Sequence, residues 1–277
     1  MPVEARRPIR RMRGGAQAYL IEANDGCFYV VKFLNNPQHR RILINEMLGA
    51  HLLRNLQVTT PEPVLVNLSE AFLAAYPEVY LELGTRREPV RPGWHYGSRF
   101  PGDPARQAVF DFLPDSLIGQ VLNLRHFLGV LVADKWLSNA DARQAVYYRA
   151  QVKLWDQAGS LAGRKSGFIA SMIDQGYFFN GPNWELTGTP LQGLALRPAV
   201  YAGVRSLDDF QPWLDMVAGF PESVLDSARR QIPGQWLDGD ENELDALLEK
   251  LLARRRTVAD LILAVRRARP SLFPMWS

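Results

Sequence analysis

The hydrophobic and polar positions of the first third of the chain fall into short runs typical of strands. Residues 16–23 and 27–34 form two such runs. Asn24-Asp25-Gly26 between them favours a tight hairpin turn, because Asp-Gly tolerates the positive φ that such turns require. An arginine-rich segment at 6–13 precedes them as an arm or a first strand, and residues 40–55 carry apolar side chains at helical spacing. A hairpin followed by a helix is therefore predicted.

The remainder of the chain changes character after a linking segment. Residues 60–82 predict a strand, a short helix and a strand, and the Pro-, Gly- and Arg-rich residues 85–104 predict a long loop or connector. Two short apolar runs at 144–152 and 166–173, separated by a polar loop that contains glycine, predict a second hairpin. Helical patterns dominate the rest, at 115–134, 207–218, 221–231, 241–255 and 257–269.

This order predicts an α+β fold with two lobes and a nucleotide between them. The first lobe, residues 1–95, is expected to be small and rich in strands. The second, residues 96–277, is expected to be larger and mainly helical, with the hairpin inserted.

Composition narrows the classes of protein that need to be considered. A 47% hydrophobic and 22% charged content is typical of globular proteins, and no apolar run approaches the roughly 20 residues that span a bilayer. The basic N-terminus lacks an apolar signal core, and the lone Cys27 cannot form an internal disulfide. A cytoplasmic location without membrane contact is therefore expected.

Clustered arginines offer one competing function. Arginine is frequent in residues 6–13 and 254–256, which would suit a nucleic-acid-binding module. The net charge is only +3, however, and such runs are more commonly solvated faces. We therefore expect no nucleic-acid partner.

Three oxygen-bearing side chains in the second half suggest phosphoryl transfer. Asp134 and Asn139 lie five residues apart, and Asp174 ends an apolar run just before Gly176. Transfer from a metal–nucleotide needs an acid to orient the attacking hydroxyl, and an amide and a carboxylate to hold Mg²⁺. The pattern predicts Asp134 as the catalytic acid and Asn139 and Asp174 as metal ligands. Asp141 is an alternative ligand that spacing does not distinguish from Asn139.

The N-terminal part supplies residues suited to binding nucleotide phosphates. Lys32 lies in an apolar strand, where a lysine needs an anionic partner or must reach solvent. Glu46 follows on the predicted helix, so a pair of Lys32 with Glu46 is expected, with the lysine also on the phosphates. Gly14 and Gly15 precede a strand and would let backbone N–H groups approach phosphate oxygens. Taken singly, each could instead be a solvated side chain or an ordinary turn.

Several other kinds of site are excluded by the sequence. It contains no Gly-x-Ser-x-Gly, no His-Glu-x-x-His and no Walker-type phosphate loop. Its four histidines are scattered singly, which argues against a histidine-rich zinc site.

At these residues the chain resembles the HipA-like branch of the protein-kinase-like fold and, more distantly, the phosphatidylinositol kinases. Gly15-Ala16-Gln17 is similar to the Gly-Ala-Gln phosphate loop of HipA proteins. Asp134 with Asn139 is similar to their Asp-x4-Asn catalytic loop, and Asp174 to their metal-binding aspartate. The resemblance implies an ATP- and Mg²⁺-dependent serine/threonine protein kinase. Alternatives are a nucleotide-binding pseudokinase or scaffold, and a kinase for a small alcohol such as an aminoglycoside or a lipid headgroup.

The chain departs from that family pattern in three respects. Trp136 stands where HipA loops usually carry histidine, and Met12-Arg13-Gly14 lacks the serine whose phosphorylation inhibits HipA toxins. The chain is also shorter than full HipA. A toxin role with a DNA-binding antitoxin is therefore not carried over. The substrate is expected to bear a hydroxyl, and its identity does not follow from the sequence.

Overall fold

A closed five-stranded barrel occupies the N-terminal part of the protein. A computed structural model describes residues 1–151 and 166–277. The strands in these described residues are β1 (Val3–Arg11), β2 (Tyr19–Ala23), β3 (Phe28–Lys32), β4 (Pro63–Leu68), β5 (Tyr80–Leu83), β6 (Arg86–Pro89), β7 (Gly93–Arg99), β8 (Val109–Phe110), β9 (Gln144–Gln151) and β10 (Ser166–Ile173). The barrel order is β1-β2-β3-β7-β4, closed by parallel pairing of β1 with β4, and the other neighbours are antiparallel.

The sequence predicts much of this barrel. The two runs joined at Asn24-Asp25-Gly26 form the β2–β3 hairpin, and Gly26 adopts the positive φ (76°) expected of the turn. The arginine-rich segment is a strand, β1, and residues 60–82 form a strand, a helix and a strand. Inward-facing apolar side chains of these strands form a core of their own.

The prediction of a long loop or connector at 85–104 is wrong. This segment contains β6 and also β7, which lies between β3 and β4 as a full member of the barrel. Gly97 pairs with both neighbouring strands, and the position requires glycine because a Cβ there would come within 2.5 Å of Val66 Cγ2. A boundary after residue 95 would therefore pass through a barrel strand.

The described helices are concentrated after the barrel. They are α1 (Arg41–Asn55), α2 (Glu70–Ala75), α3 (Asp115–Ile118), α4 (His126–Trp136), α5 (Trp213–Ala218), α6 (Glu222–Arg229), α7 (Gly234–Leu237), α8 (Glu241–Arg254) and α9 (Val258–Ala268). No helix in the described residues is long and apolar enough to cross a membrane.

Two of the predicted helices are shorter than their apolar patterns suggested. The run at 115–134 is divided because residues 120–122 pair with Phe168, and Asn123 exchanges hydrogen bonds with the backbone of Ala170. The run at 207–218 is a 3₁₀ turn followed by α5, with Pro212 between them. In both cases apolar spacing identified a buried segment but not its backbone path.

Helix α1 is packed tightly against the helical part of the protein. Its apolar side chains belong to the same large core as those of α4, α8 and α9. A Cβ at Gly49 would lie 2.5 Å from the Phe178 ring and 2.7 Å from Gln175 Cβ, so only glycine allows this approach. The hairpin of β9 and β10 is as predicted, with Gln144 paired to Ile173, while its predicted loop and Val152 lie outside the described residues. The fold thus sets α1 directly beside the end of β10.

Burial of His95 in the barrel predicts a specific loss of stability in mild acid. Its Nδ1 accepts the backbone N–H of Leu34 at 2.8 Å, and burial lowers the pKa of His95 to about 3. The unfolded chain takes up a proton near pH 6.5 while the folded chain does not, so the free energy of unfolding falls as pH drops below that value. Denaturant melts from pH 7 to 5 should show this fall flattened in His95→Gln, by about 1.4 kcal/mol per pH unit near pH 5. Equal slopes for both proteins would contradict the assignment.

Candidate functional site

Lys32, Glu46 and Asp174 meet where the barrel faces the end of β10. Lys32 on β3 forms an ion pair with Glu46 on α1, and its Nζ lies 2.8 Å from Asp174 Oδ1. Burial by itself would lower the pKa of Lys32, but the charges of Glu46 and Asp174 outweigh it and the pKa is raised. The predicted Lys32–Glu46 pair is confirmed, and the ammonium also reaches Asp174.

Asp174 is the more accessible of the two acids that contact Lys32. Its side chain is 33% exposed, against 2% for Glu46. Burial would raise the pKa of Asp174, but the charge and hydrogen bond of Lys32 outweigh it and the pKa is lowered. Asp174 adopts a positive φ of 63°, unusual for a residue other than glycine, at the turn out of β10. The protein thus holds an ionised carboxylate at a sharp turn, partly open to solvent.

Helix α1 fixes the turn that follows Asp174. Glu46 Oε1 accepts the Gly176 N–H at 3.0 Å as well as the Lys32 ammonium. The Nδ2 of Asn45 lies 2.8–3.1 Å from the carbonyl oxygens of Gly176, Phe178 and Gly181, and its Oδ1 accepts Trp184 Nε1–H. A Cβ on Gly176 would come within 2.6 Å of Ile42 Cγ2. Asn45 was not predicted, because a helical asparagine gives no sign in the sequence that it faces a distant loop.

The carboxylate of Asp134 is enclosed by neighbouring side chains. Its side chain is 1% exposed, in the last turn of α4. Arg143 donates to both carboxylate oxygens, with Nε 3.1 Å from Oδ2, and Asn139 Nδ2 donates to Oδ1 at 2.9 Å. The motif led us to expect a catalytic residue; in the structure the carboxylate neutralises a buried guanidinium, and both of its oxygens accept hydrogen bonds.

Asn139 is buried in the same network. Its amide nitrogen is directed at Asp134, and its Oδ1 accepts the Asp141 N–H at 3.1 Å. Both ends of the amide therefore stabilise the loop. This geometry differs from that of the metal ligand that the Asp-x4-Asn spacing predicts.

Asp141 in that loop and Gln144 at the start of β9 are both exposed. Asp141 Oδ1 accepts the neighbouring Ala142 N–H at 2.7 Å, and Gln144 Nε2 donates to Asp174 Oδ2 at 3.1 Å. On either side of Asp141 in sequence, Ala140 N–H donates to the Tyr177 carbonyl, and Arg143 Nη1 to that of Ile173. The chain on both sides of Asp141 is therefore bonded to residues that flank Asp174.

The glycine turn at 14–17 is anchored through Gln17. Gly14 has a φ of 114°, and Gln17 N–H donates to its carbonyl at 3.1 Å. The Gln17 side chain bonds to both backbone groups of Glu82 at 2.7 Å, and its Oε1 accepts Arg11 Nη2 at 2.6 Å. Gly14 and Gly15 are exposed at the tip. Gln17 thus attaches the turn to the β5–β6 hairpin, and the two glycines remain exposed to solvent.

Trp136, the departure from the resembled motif, does not face this site. Its side chain is fully buried, its Nε1 donates to the Leu251 carbonyl at 3.0 Å, and its ring packs 4.8 Å from that of Phe220. The side chain is part of the helical core. Its identity therefore bears on packing rather than on the site formed by Lys32, Glu46 and Asp174.

Arg143 is the most important residue of this site that the sequence did not predict. It pairs with Asp134 and reaches Ile173, so it links the catalytic-loop candidate to the end of β10. A single arginine at the start of a polar strand gives no indication that it will be buried. The one available signal is its neighbourhood, Asn139-Ala140-Asp141-Ala142-Arg143-Gln144, which concentrates polar side chains beside an apolar helix.

Comparison with known proteins identifies the family. A family model described as HipA-like kinase matches residues 6–152, just over half of the chain. The chain belongs to the HipA-like kinase family. Membership places it among kinase-like phosphotransferases. No curated protein shows a detectable match to this HipA-like kinase.

Solved structures show that the protein-kinase-like fold extends over nearly the whole chain. The Golgi casein kinase with Mn and ADP bound is 11% identical, with 97% of this chain and 73% of that chain covered and a TM-score of 0.51. The Helicobacter pylori proinflammatory kinase CtkA is 14% identical, with 94% and 98% covered and a TM-score of 0.50. At such low identity the likeness concerns the fold alone, and the family match carries the assignment to kinases.

Proposed function

We propose that this HipA-like kinase transfers the γ-phosphoryl group of ATP, with Mg²⁺, to a serine or threonine hydroxyl of a protein. The barrel and the helical part act as two lobes, with the nucleotide between them. The observation that carries the proposal is the contact of Lys32 with both Glu46 and Asp174. It joins one cation from the barrel, one acid from α1 and one acid from the end of β10, as a phosphate-binding lysine and a metal-binding aspartate require.

Each predicted site residue of the N-terminal part has a role in holding the nucleotide. Lys32 binds the phosphates, and Glu46 orients it. Gly14, Gly15 and Ala16 place backbone N–H groups over the phosphates, because the exposed glycines have no side chain in the way. Gln17 acts as the anchor of this turn through Glu82.

Mg²⁺ fits the oxygen donors around Asp174. The carboxylate is ionised and partly exposed, and Gln144 directs its amide nitrogen at it, which leaves the amide oxygen of Gln144 as a neutral ligand. No group of three or more His, Cys, Asp or Glu suited to a metal occurs in residues 1–151 and 166–277. Mg²⁺ bound by one or two carboxylates together with phosphates and water does not need such a group. Mg²⁺ would neutralise the charge that builds up on the phosphates. We assign Asp174 and Gln144 to it, in place of Asn139.

We assign the catalytic base, the carboxylate that takes up the substrate proton, to Asp141 rather than Asp134. Asp141 is exposed, whereas Asp134 is enclosed by Arg143 and Asn139. Asp141 accepts the proton of the substrate hydroxyl while the oxygen of that hydroxyl forms a bond to the γ-phosphorus. The bond from that phosphorus to the bridging oxygen breaks, and ADP leaves with the electron pair. Asp134 fixes the loop through Arg143, which also holds the Ile173 carbonyl.

A second candidate function is nucleotide binding without phosphoryl transfer. Burial of Asp134 and Asn139, the residues that match the family motif, favours it. Under this alternative the Lys32–Asp174 contact binds a nucleotide, and the loop carrying Asp141 is only structural.

Incubation of the purified chain with γ-labelled ATP tests both functions. We expect label in the protein itself or in a general protein substrate such as casein, and none when EDTA removes Mg²⁺. Aminoglycoside and lipid acceptors are included as alternative hydroxyl compounds. Label only in these would contradict the protein substrate, and a thermal shift with Mg²⁺·ATP but no label in any acceptor would favour the binding function.

A further inference from the structure

A segment outside the site described above is fastened along the length of the catalytic loop. This clamped segment, residues 186–194, lies against residues 134–143. Its Gly193 N–H donates to the Asp141 carbonyl, and its Leu194 carbonyl accepts the Arg143 N–H, both at 3.0 Å. Thr187 N–H donates to Ser138 Oγ at 2.8 Å. These bonds use the backbone of the clamped segment, so its path determines where the loop sits.

Lys135 holds the middle of the clamped segment. It lies in the last turn of α4 with 4% exposure, and its Nζ contacts the carbonyl oxygens of Thr189 (3.4 Å), Pro190 (3.0 Å) and Gln192. Burial is the main cause that lowers the pKa of Lys135, to about 8. At pH 7 the group is therefore still an ammonium, with one N–H for each of the three carbonyls.

Each end of the clamped segment also has contacts of its own besides those with the Lys135 ammonium. Arg254 donates to the carbonyls of Leu186 (3.1 Å) and Thr187 at one end, and to that of Lys135 itself. At the other end Gly193 has a φ of 64°, and a Cβ there would lie 3.0 Å from Asp134 Cβ and 3.1 Å from Asn139 Cβ. The segment can approach the loop this closely only through glycine. Lys135 supplies the contacts between these two points.

We propose that Lys135 is a positioning residue: its ammonium holds the clamped segment so that Gly193 sets the place of Asp141. The role of Asp141 rests on the proposed function, whereas the clamp does not. Without the ammonium three carbonyls lose their donor, and residues 188–192 move away from the loop. Asp141 then loses its backbone contact with Gly193, while Lys32, Glu46 and Asp174 keep theirs. The substitution therefore acts on the transfer step and not on nucleotide binding.

Two substitutions at Lys135 test this proposal. In Lys135→Met we expect kcat to fall about tenfold at pH 7 with the KM for ATP unchanged, because misplacing a reactive group slows chemistry without weakening the phosphate contacts. Lys135→Arg keeps a cation with several donors and should recover part of kcat. Lys250→Met, a change to an exposed lysine on α8, is the matched control and should behave as wild type. A rise in KM for ATP equal to the fall in kcat would overturn the proposal.

Hydrogen exchange separates this proposal from the proposed function. Amides of residues 187–194 should exchange about tenfold faster in Lys135→Met than in wild type, with the barrel amides unchanged. Equal exchange in the two proteins refutes the clamp, whether or not either transfers phosphate. If Lys135→Met has no cooperative melt, Gly193→Ala perturbs the same contact from the other side and should give the same local exchange. If the amides of residues 187–194 in that variant exchange as slowly as in wild type, the proposal is refuted as well.

Discussion

Asparagine in place of Asp141 is expected to lower the rate of phosphoryl transfer by about 10²–10⁴-fold. The amide has nearly the same shape but accepts no proton from the substrate hydroxyl. Asp141 is exposed, and only one of its carboxylate oxygens accepts a hydrogen bond from the loop, from Ala142 N–H. Folding and Mg²⁺·ATP binding should therefore be unaffected. Initial rates with labelled ATP, together with thermal melts with and without nucleotide, measure both quantities.

The matched control is Asp226→Asn, which removes an exposed carboxylate from α6. Its transfer rate should equal that of the wild type. Full activity in Asp141→Asn would contradict the assignment of Asp141 as the catalytic base. A lower rate accompanied by a lower Tm would instead show that the side chain supports the loop.

Alanine in place of Asp134 is expected to lower the free energy of unfolding by about 3–5 kcal/mol. The change leaves the guanidinium of Arg143 buried without its carboxylate, and it also removes the acceptor of Asn139 Nδ2. An uncompensated buried charge is among the most destabilising changes that one substitution can make. Urea denaturation at pH 7 gives the difference directly.

A double variant distinguishes the charge from the cavity. Asp134→Ala with Arg143→Met removes both ions, so much of the lost stability should return. Unlike Asp134→Ala, Asp141→Asn should leave stability unchanged, so the two acids of one loop are told apart by different measurements. A cost below about 1 kcal/mol for Asp134→Ala would mean that the pair is solvated, contrary to its burial.

The Lys32–Glu46 pair could be predicted from sequence because each residue carries its own local signal. Lys32 interrupts an apolar strand, and Glu46 lies among apolar positions of a helix, so both have a reason to find a partner. Asp174 ends an apolar strand before a glycine, which is a local signal as well. The structure brings all three together.

The sequence spacing assigned the catalytic role to Asp134 and considered Asp141 only as an alternative to Asn139 as a metal ligand. Both follow the same apolar helix, and both stand near Asn139. What separates them is Arg143, which folds back on Asp134 and makes the earlier acid internal. Such a contact depends on the path of a loop, for which residue spacing gives no information. The same limit applies to Asn45, whose partners lie more than 130 residues away.

The alternation of apolar and polar positions and the turn residues between them predicted the β2–β3 hairpin. The glycines and prolines around β7 led instead to the prediction of a loop. The glycine that made residues 85–104 resemble a loop is needed at Gly97 for close contact with β4. Glycine has two structural meanings, a turn or a close approach, and only the neighbouring strand decides between them. The prediction of one continuous helix at 115–134 was wrong for a related reason, because the middle of this segment pairs with β10 instead of forming helix.

The contact at Gly49 has a consequence for how this kinase can be controlled. Helix α1 carries Glu46, and an outward swing of that helix would separate the acid from Lys32, which under the proposed function would stop phosphoryl transfer. Here the helix backbone rests on Phe178, and Asn45 bonds to the chain after Asp174 at three carbonyls. Such a swing would break all these contacts together. The enzyme is therefore expected to stand permanently assembled, with its output governed by the supply of nucleotide and the arrival of acceptor.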